Sequence, residues 1–153
     1  MTGKRSAGIL VYRETDEVTE VLLGHMGGPF WAKKDDHAWS VPKGEYLDDE
    51  TPEVAARREF QEELGLPVPD GDLVELGDVK QSGGKVITVW ALHADLDPAD
   101  VVPGTFELEW PPKSGQLKEF PEVDRVEWFT VEVARTKIVK AQAALLDRLL
   151  ALP

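Results

Sequence analysis

Cysteine is absent from the 153 residues, which excludes disulfides and thiol chemistry. Histidine is scarce: His25, His37 and His93 are the only three, and their positions do not form a metal-spaced set. Positive charge is in deficit, with 17 Lys and Arg against 29 Asp and Glu, a formal net charge of −12. That balance argues against tight, nonspecific binding to duplex nucleic acid, whose phosphates would be repelled. It leaves open a small phosphorylated molecule held by a local basic patch together with metal ions. Most of the acids read simply as a solubilising surface. No apolar run approaches the length of a membrane span, and "MTGKRSAGILVYRETDEV" lacks the long apolar stretch of a signal peptide. The expectation is a cytoplasmic protein with no membrane partner, acting as a monomer or homodimer. No internal repeat or low-complexity tract is present. With 42% hydrophobic residues and five tryptophans, the chain suits a single domain over 1–153 with a proper core.

"SAGILVYR" and "EVLLGHM" predict paired strands, roughly 6–13 and 18–25, followed by the loop "GGPFWAKKDDHA". "WSVPKG" reads as a short strand ending at Pro42, with Gly44 as a turn point. Thr51 suits an N-cap, Pro52 the first helical position and Glu53 the positive end of the helix dipole. Gly65 is placed to end that helix, and Ala56, Phe60 and Leu64 give it a core-facing stripe. "LVELGDVKQ" and "KVITVWALHA" predict a hairpin through Ser82-Gly83-Gly84; "TFELEW" and "RVEWFT" predict further strands. Thr130 is expected to cap one closing helix over roughly 131–150. The order predicts an α+β fold with a mixed sheet packed by helices.

The middle helix carries a problem in its last turns. Glu59 and Glu63 stand four residues apart, a like-charge spacing that costs about a few tenths of a kcal/mol. Glu62 and Glu63 lie where the helix dipole disfavours anions. Local energetics therefore call for a positive neighbour, and a hard divalent cation such as Mg²⁺, which takes oxygen ligands, suits such a cluster.

The spacing around the cluster is more specific. Gly44, five residues, Glu50, seven residues, Arg58-Glu59-Phe60, one residue, Glu62-Glu63, one residue and Gly65-Leu66 resembles the complete signature box of the Nudix (MutT-like) pyrophosphohydrolases. Phe60 is the one soft departure, at a position that is usually aliphatic. The resemblance implies an α/β/α sandwich and water attack on one phosphorus of a diphosphate, assisted by Mg²⁺ with Mn²⁺ as a substitute. It further implies Glu59, Glu62 and Glu63 as metal ligands, with the Gly44 carbonyl as another oxygen. Glu62, Glu63 and Arg58 then enter catalysis, Arg58 by orienting a glutamate, while Glu50 and Gly65 brace the box. A late glutamate often joins the site in this family; Glu122 and Glu119 are the two candidates.

Lys43, beside the box glycine, can reach a substrate phosphate as a point charge. Lys33 and Lys34 are further substrate candidates, with Trp31 and Phe30 as stacking residues in the same loop. Arg135, Lys137 and Lys140 form a second basic group, with Lys137 and Lys140 expected on one helix face. The other tryptophans read as core. "DGDLVELGD" lacks the central glycine and fifth-position ligand of a calcium loop. Downstream of the box, "QSGGK" carries neither the tyrosine frequent in dinucleoside polyphosphate hydrolases nor the proline of the ADP-ribose subgroup. The expected substrate is a dinucleoside polyphosphate or nucleoside triphosphate. A nucleotide sugar, a diphosphoinositol polyphosphate, or a sensor that binds nucleotide without cleavage stand as alternatives.

Overall fold

The computed structural model describes residues 5–153; residues 1–4, part of the amino-terminal reading above, lie outside it. The chain runs β1 (Arg5–Thr15), β2 (Val18–Met26), β3 (Trp39–Ser40), β4 (Lys43–Glu45), α1 (Pro52–Leu64), β5 (Leu73–Lys80) and β6 (Val86–His93). It continues with β7 (Thr105–Glu109), β8 (Leu117–Pro121), β9 (Val123–Thr130), α2 (Val131–Lys137) and α3 (Ala143–Leu150). A seven-stranded mixed sheet follows the order β3-β2-β1-β6-β5, with β4 pairing to β1 and β9 to β2. β1 and β6 are parallel at its centre, and the β1–β2 and β5–β6 pairs are antiparallel as the two apolar pairs predict.

Both faces of the sheet are covered, because successive side chains of a strand point to opposite sides. Ile9, Val11 and Leu22 pack with Ala55, Ala56, Phe60 and Leu64 of α1. Leu10, Val21 and Leu23 pack with Val131, Ala134, Leu145, Leu146 and Leu149 of α2 and α3. The result is an α/β/α sandwich. α1 has the predicted ends: the Thr51 hydroxyl accepts from the Val54 N–H at 3.3 Å, and Gly65 closes it in the left-handed region at φ 66°. Among the described residues, no helix is long and apolar enough to cross a membrane.

Three expectations need correction. The closing helix is two helices. α2 stops at Lys137 because the Ile138–Val139 segment turns extended and joins the sheet edge. Ile138 bridges to Trp39, and the Val139 N–H donates to the Trp39 carbonyl at 2.8 Å. Lys137 and Lys140 therefore do not share a helix face. Second, "WSVPKG" forms two short strands rather than one, since β3 pairs with β2 while β4 pairs with β1. Third, "LKEFP", for which no element is predicted above, is β8, which pairs with β7 in a separate two-stranded ribbon.

Gln142 fastens the break between α2 and α3. It is fully buried, accepts from the Val41 N–H at 3.0 Å and donates to the Ser40 hydroxyl at 3.0 Å. Leucine at this position fits the volume but leaves the buried Val41 N–H without its acceptor, costing about 1–3 kcal/mol. Gln142→Leu should therefore shift the urea-unfolding midpoint down with the slope unchanged. An unshifted midpoint would remove this fastening.

Candidate active site

The structure gathers Lys43, Gly44, Glu59, Glu62, Glu63 and Glu122 around one cleft of about 450 Å³. α1 supplies the three glutamates, the β4 hairpin arm supplies Lys43 and Gly44, and Glu122 comes from the corner between β8 and β9. Glu119 sits on β8 opposite Glu107, exposed and outside this cleft.

The positive neighbour that the helix lacks in its last turn is partly Arg58. Its guanidinium grips Glu50 with two bonds of 2.7 Å, Nε to Oε2 and Nη2 to Oε1. Its Nη1 donates to Glu59 at 2.7 Å and to Glu62 at 3.0 Å. This holds the Glu50 carboxyl below its usual range and raises the guanidinium's already high pKa. Glu63 is satisfied differently, accepting from the Lys43 backbone N–H at 3.0 Å. Burial, with Glu122 and Glu59 close by, pushes its pKa up to about 8 against the attraction of Lys43. Burial also raises Glu59 and Glu122.

Backbone contacts set these distances. A Cβ at Gly44 would lie 1.8 Å from Glu59 Oε2, so only glycine lets that carboxylate close against the loop. Gly104 joins α1 to the Glu122 corner: its N–H donates to the Glu63 carbonyl at 3.4 Å, and its carbonyl accepts from the Glu122 N–H at 2.7 Å. A side chain there would meet the Glu62 carbonyl oxygen at 2.6 Å. The Glu122 carbonyl in turn accepts from the Gly27 N–H at 3.0 Å. Glu122 is thus held to both α1 and β2 through main chain alone.

Among the described residues, no three acidic or imidazole side chains converge tightly enough to enclose a cation. Glu59 and Glu62 are turned to Arg58 instead. The donor set nevertheless fits a hard divalent ion: it offers only oxygen ligands, and crowded carboxylates with raised pKa values gain most from an opposing charge.

A second cavity of about 480 Å³ adjoins the first, sharing Met26, Ser40, Lys43 and Glu45 with it. Trp31 lines it; Lys33 and Lys34 line neither cavity, and both are exposed. Lys137 is also outside both, because it pairs with Asp35. The exposed Phe30 packs edge-on against Trp110, with ring centroids 5.2 Å apart. The sequence reading passed over Lys85, Gln81, His37 and Gln142 as lining residues. Trp31 and Lys43 were named from the sequence, and Lys140 carried a signal as a member of the basic group of the last helices.

A family model described as the NUDIX domain matches residues 2–149. The chain belongs to the Nudix family, the hydrolase family that its box resembles. Over 55 residues it is 42% identical to an RNA pyrophosphohydrolase of Vibrio vulnificus, a match covering 35% of this chain and 32% of the relative. An RNA pyrophosphohydrolase of Aliivibrio fischeri is 45% identical over 51 residues, 33% of this chain and 30% of that one. The matched stretch thus spans about a third of the length of these relatives. Among solved structures, a C. elegans Ap4A hydrolase in a binary complex superposes with a TM-score of 0.68 at 22% identity, covering 97% of this chain and 96% of that one. The NUDIX domain of Shewanella oneidensis NrtR complexed with ADP ribose gives 0.64 at 15% identity, covering 97% and 87%. These structural likenesses establish the fold.

The buried Glu63 predicts a pH-dependent stability. Its carboxyl titrates near 4.5 when unfolded and near 8 when folded, so the folded state holds its proton longer. Its contribution is fully present below the unfolded value and is lost as pH rises towards 8. Glutamine keeps the acceptor for Lys43 without the charge. In chelator, the melting temperature of Glu63→Gln should approach the parent's in acid and exceed it increasingly up to pH 8. A difference that stays constant with pH would place the Glu63 charge in solvent.

Proposed function

We propose that this protein is a metal-dependent pyrophosphohydrolase that directs water onto one phosphorus of a nucleoside polyphosphate. The observation that carries this reading is the cleft uniting Glu59, Glu62, Glu63 and Glu122 with Lys43 and Gly44. Glu59, Glu62 and Glu63, with the Gly44 carbonyl, would hold Mg²⁺, for which Mn²⁺ is the expected substitute. When bound, the ion lowers the pKa of a water molecule and screens phosphate charge.

The side chains divide the remaining work. Glu122 is the candidate base: its carboxylate has no hydrogen-bond or ion-pair partner among the described residues, whereas Arg58 or the Lys43 N–H occupies the other three. A raised pKa makes it a better proton acceptor for the attacking water. Arg58 orients Glu59 and Glu62, and Glu50 anchors Arg58 from behind. Lys43 places its ammonium on a substrate phosphate at the boundary of the two cavities. Glu62 and Glu63 complete the charge that positions water and ion.

A dinucleoside polyphosphate or nucleoside triphosphate fits this arrangement. The names of the curated relatives support a second substrate of the same chemistry, a polyphosphorylated RNA end. A nucleotide-binding sensor is the rival class; the complete box, with every charged position in place, favours hydrolysis.

A panel of ATP, diadenosine tetraphosphate, triphosphorylated RNA and ADP-ribose, with Mg²⁺, tests the reaction by phosphate or nucleotide release. Turnover of at least one polyphosphate should cease in excess chelator while the far-UV circular dichroism stays unchanged, and Mg²⁺ or Mn²⁺ should restore it. Hydrolysis that persists in chelator removes the metal-assisted reading, and binding without turnover across the panel points to the sensor.

Lys43→Ala should raise KM about tenfold or more with a smaller fall in kcat, as expected when a phosphate contact equal in ground and transition states is lost. A collapse confined to kcat would move Lys43 into transition-state stabilisation.

A further inference from the structure

Behind the floor of the acidic cleft lies a buried histidine. Gly24 and Met26 of β2 line the cleft. His25 between them turns to the opposite face, as strand alternation requires, and is 1% exposed. Its ring packs edge-on against Trp39, with centroids 5.1 Å apart. Nε2 donates to the Lys34 carbonyl at 2.6 Å, and Nδ1 meets the Asp124 carboxylate at 2.8 Å. One side chain thus joins β2 to the loop over 27–38 and to the start of β9.

Asp124 is where β9 breaks register. His25 pairs with Arg125 but Met26 with Val123, which leaves Asp124 as the extra residue of a β-bulge. The bulge explains the burial pattern. Val123 and Val126 both pack on the α1 face although three residues apart, a spacing that a regular strand sends to opposite faces. Asp124 and Arg125 take the other face, where the Arg125 guanidinium lies 5.2 Å from the centroid of the Trp39 ring. A bulged residue has no ladder partner to hold it, and here the His25 ring does so instead.

The bulge sits two residues from Glu122. Val123 fits against Gly24 so closely that a Cβ there would lie 2.7 Å from its Cγ1. The shift of phase therefore decides how the chain leaves β9 for the corner, and whether the Gly27 N–H reaches the Glu122 carbonyl. The bonds that Glu122 itself makes are main-chain ones. His25 ties the strand ends that bring them within reach.

We infer that His25 is a positioning residue for Glu122: by holding Asp124 it fixes the bulge, and the bulge aims the Glu122 carboxylate into the cleft. The consequence for the reaction rests on the reading of Glu122 as the base, but the placement itself does not require turnover.

His25→Phe keeps a ring against Trp39 and removes both polar contacts. Amide hydrogen exchange at Gly27 and Glu122 should quicken about tenfold or more, while the amides of α1 keep the parent's rates. Well below the melting temperature, kcat should fall about tenfold to a hundredfold with KM changed less than about threefold. Glu122→Gln should itself lose about a hundredfold, and adding His25→Phe to it should cost no more than about twofold further. Asp124→Ala, at a partly exposed site that tolerates truncation, should reproduce the faster exchange and the loss of kcat. Asp124→Asn, whose amide can bond the ring nitrogen in either tautomer, should stay within about threefold of the parent in both. Unchanged exchange in His25→Phe and Asp124→Ala overturns the inference, as does a full second loss of kcat in the Glu122→Gln background. If exchange quickens but the parent cleaves no polyphosphate, the hydrolase reading falls and the placement stands. If Glu122→Gln keeps the parent's kcat, Glu122 is not the base and the inference falls, while the metal-assisted reaction stands.

Discussion

Arg58 carries the charge balance on which the box helix depends. Three glutamates in the last turns of α1, set against the helix dipole, are mutually repulsive and poorly placed. One guanidinium reaches two of them and is itself gripped by Glu50 in a paired, planar contact. Arginine is suited to this because its donors are fixed in one plane and its charge persists at any ordinary pH. The arrangement neutralises Glu59 and Glu62 only in part. Glu63 and Glu122, beyond its reach, retain pKa values raised by burial. The cleft therefore keeps an appetite for positive charge, which a divalent ion would satisfy.

The sandwich makes that cleft possible by bringing distant segments to one end of the sheet. α1 lies on one face through Ala55, Ala56, Phe60 and Leu64, and the hairpin arm of β4 pairs with β1 beneath it. Phe60, the departure from the family's usual aliphatic residue, is fully buried in this layer, so its consequence is packing. Glu122 arrives from the far end of the chain and is held by main-chain bonds to Gly104 and Gly27. Because those bonds use backbone groups, the placement of this carboxylate depends on close approach of the chain more than on the identity of neighbouring side chains.

Much of this was legible in the residues, for reasons that are local. The ends of α1 are written in Thr51, Pro52 and Gly65, and its buried stripe in residues four apart. The paired strands announced themselves by apolar runs and turn residues. The family's fixed offsets brought Glu59, Glu62 and Glu63 into view together, and the structure sets Glu122, not Glu119, beside them. What could not be read was set by tertiary contact. The helical pattern over 131–150 gives no sign that Ile138 and Val139 leave the helix to meet Trp39, a residue some hundred positions earlier. That break decides which lysine faces the cavity: Lys140 does, while Lys137 is drawn to Asp35. Lys85, isolated at a hairpin end, had no local pattern to mark it.

On the proposed function, a strongly acidic protein must accommodate a polyanion, and the two cavities bear on how. Net charge repels such a molecule at a distance, but that repulsion is screened within about 8–10 Å at ordinary ionic strength. Inside that range only the local arrangement counts. The acidic half, lined by Glu59, Glu62, Glu63 and Glu122, repels phosphate unless a cation accompanies it. The basic half, lined by Lys43, Lys85 and Lys140, attracts phosphate without one. A molecule bearing phosphate at one end only could occupy the basic half and leave the acidic half unused. On the proposed reading, one with a phosphate chain would span both, its anhydride beside the carboxylates. On that reading, the segregation of charge across the Lys43 boundary would favour a phosphate chain over a single phosphate.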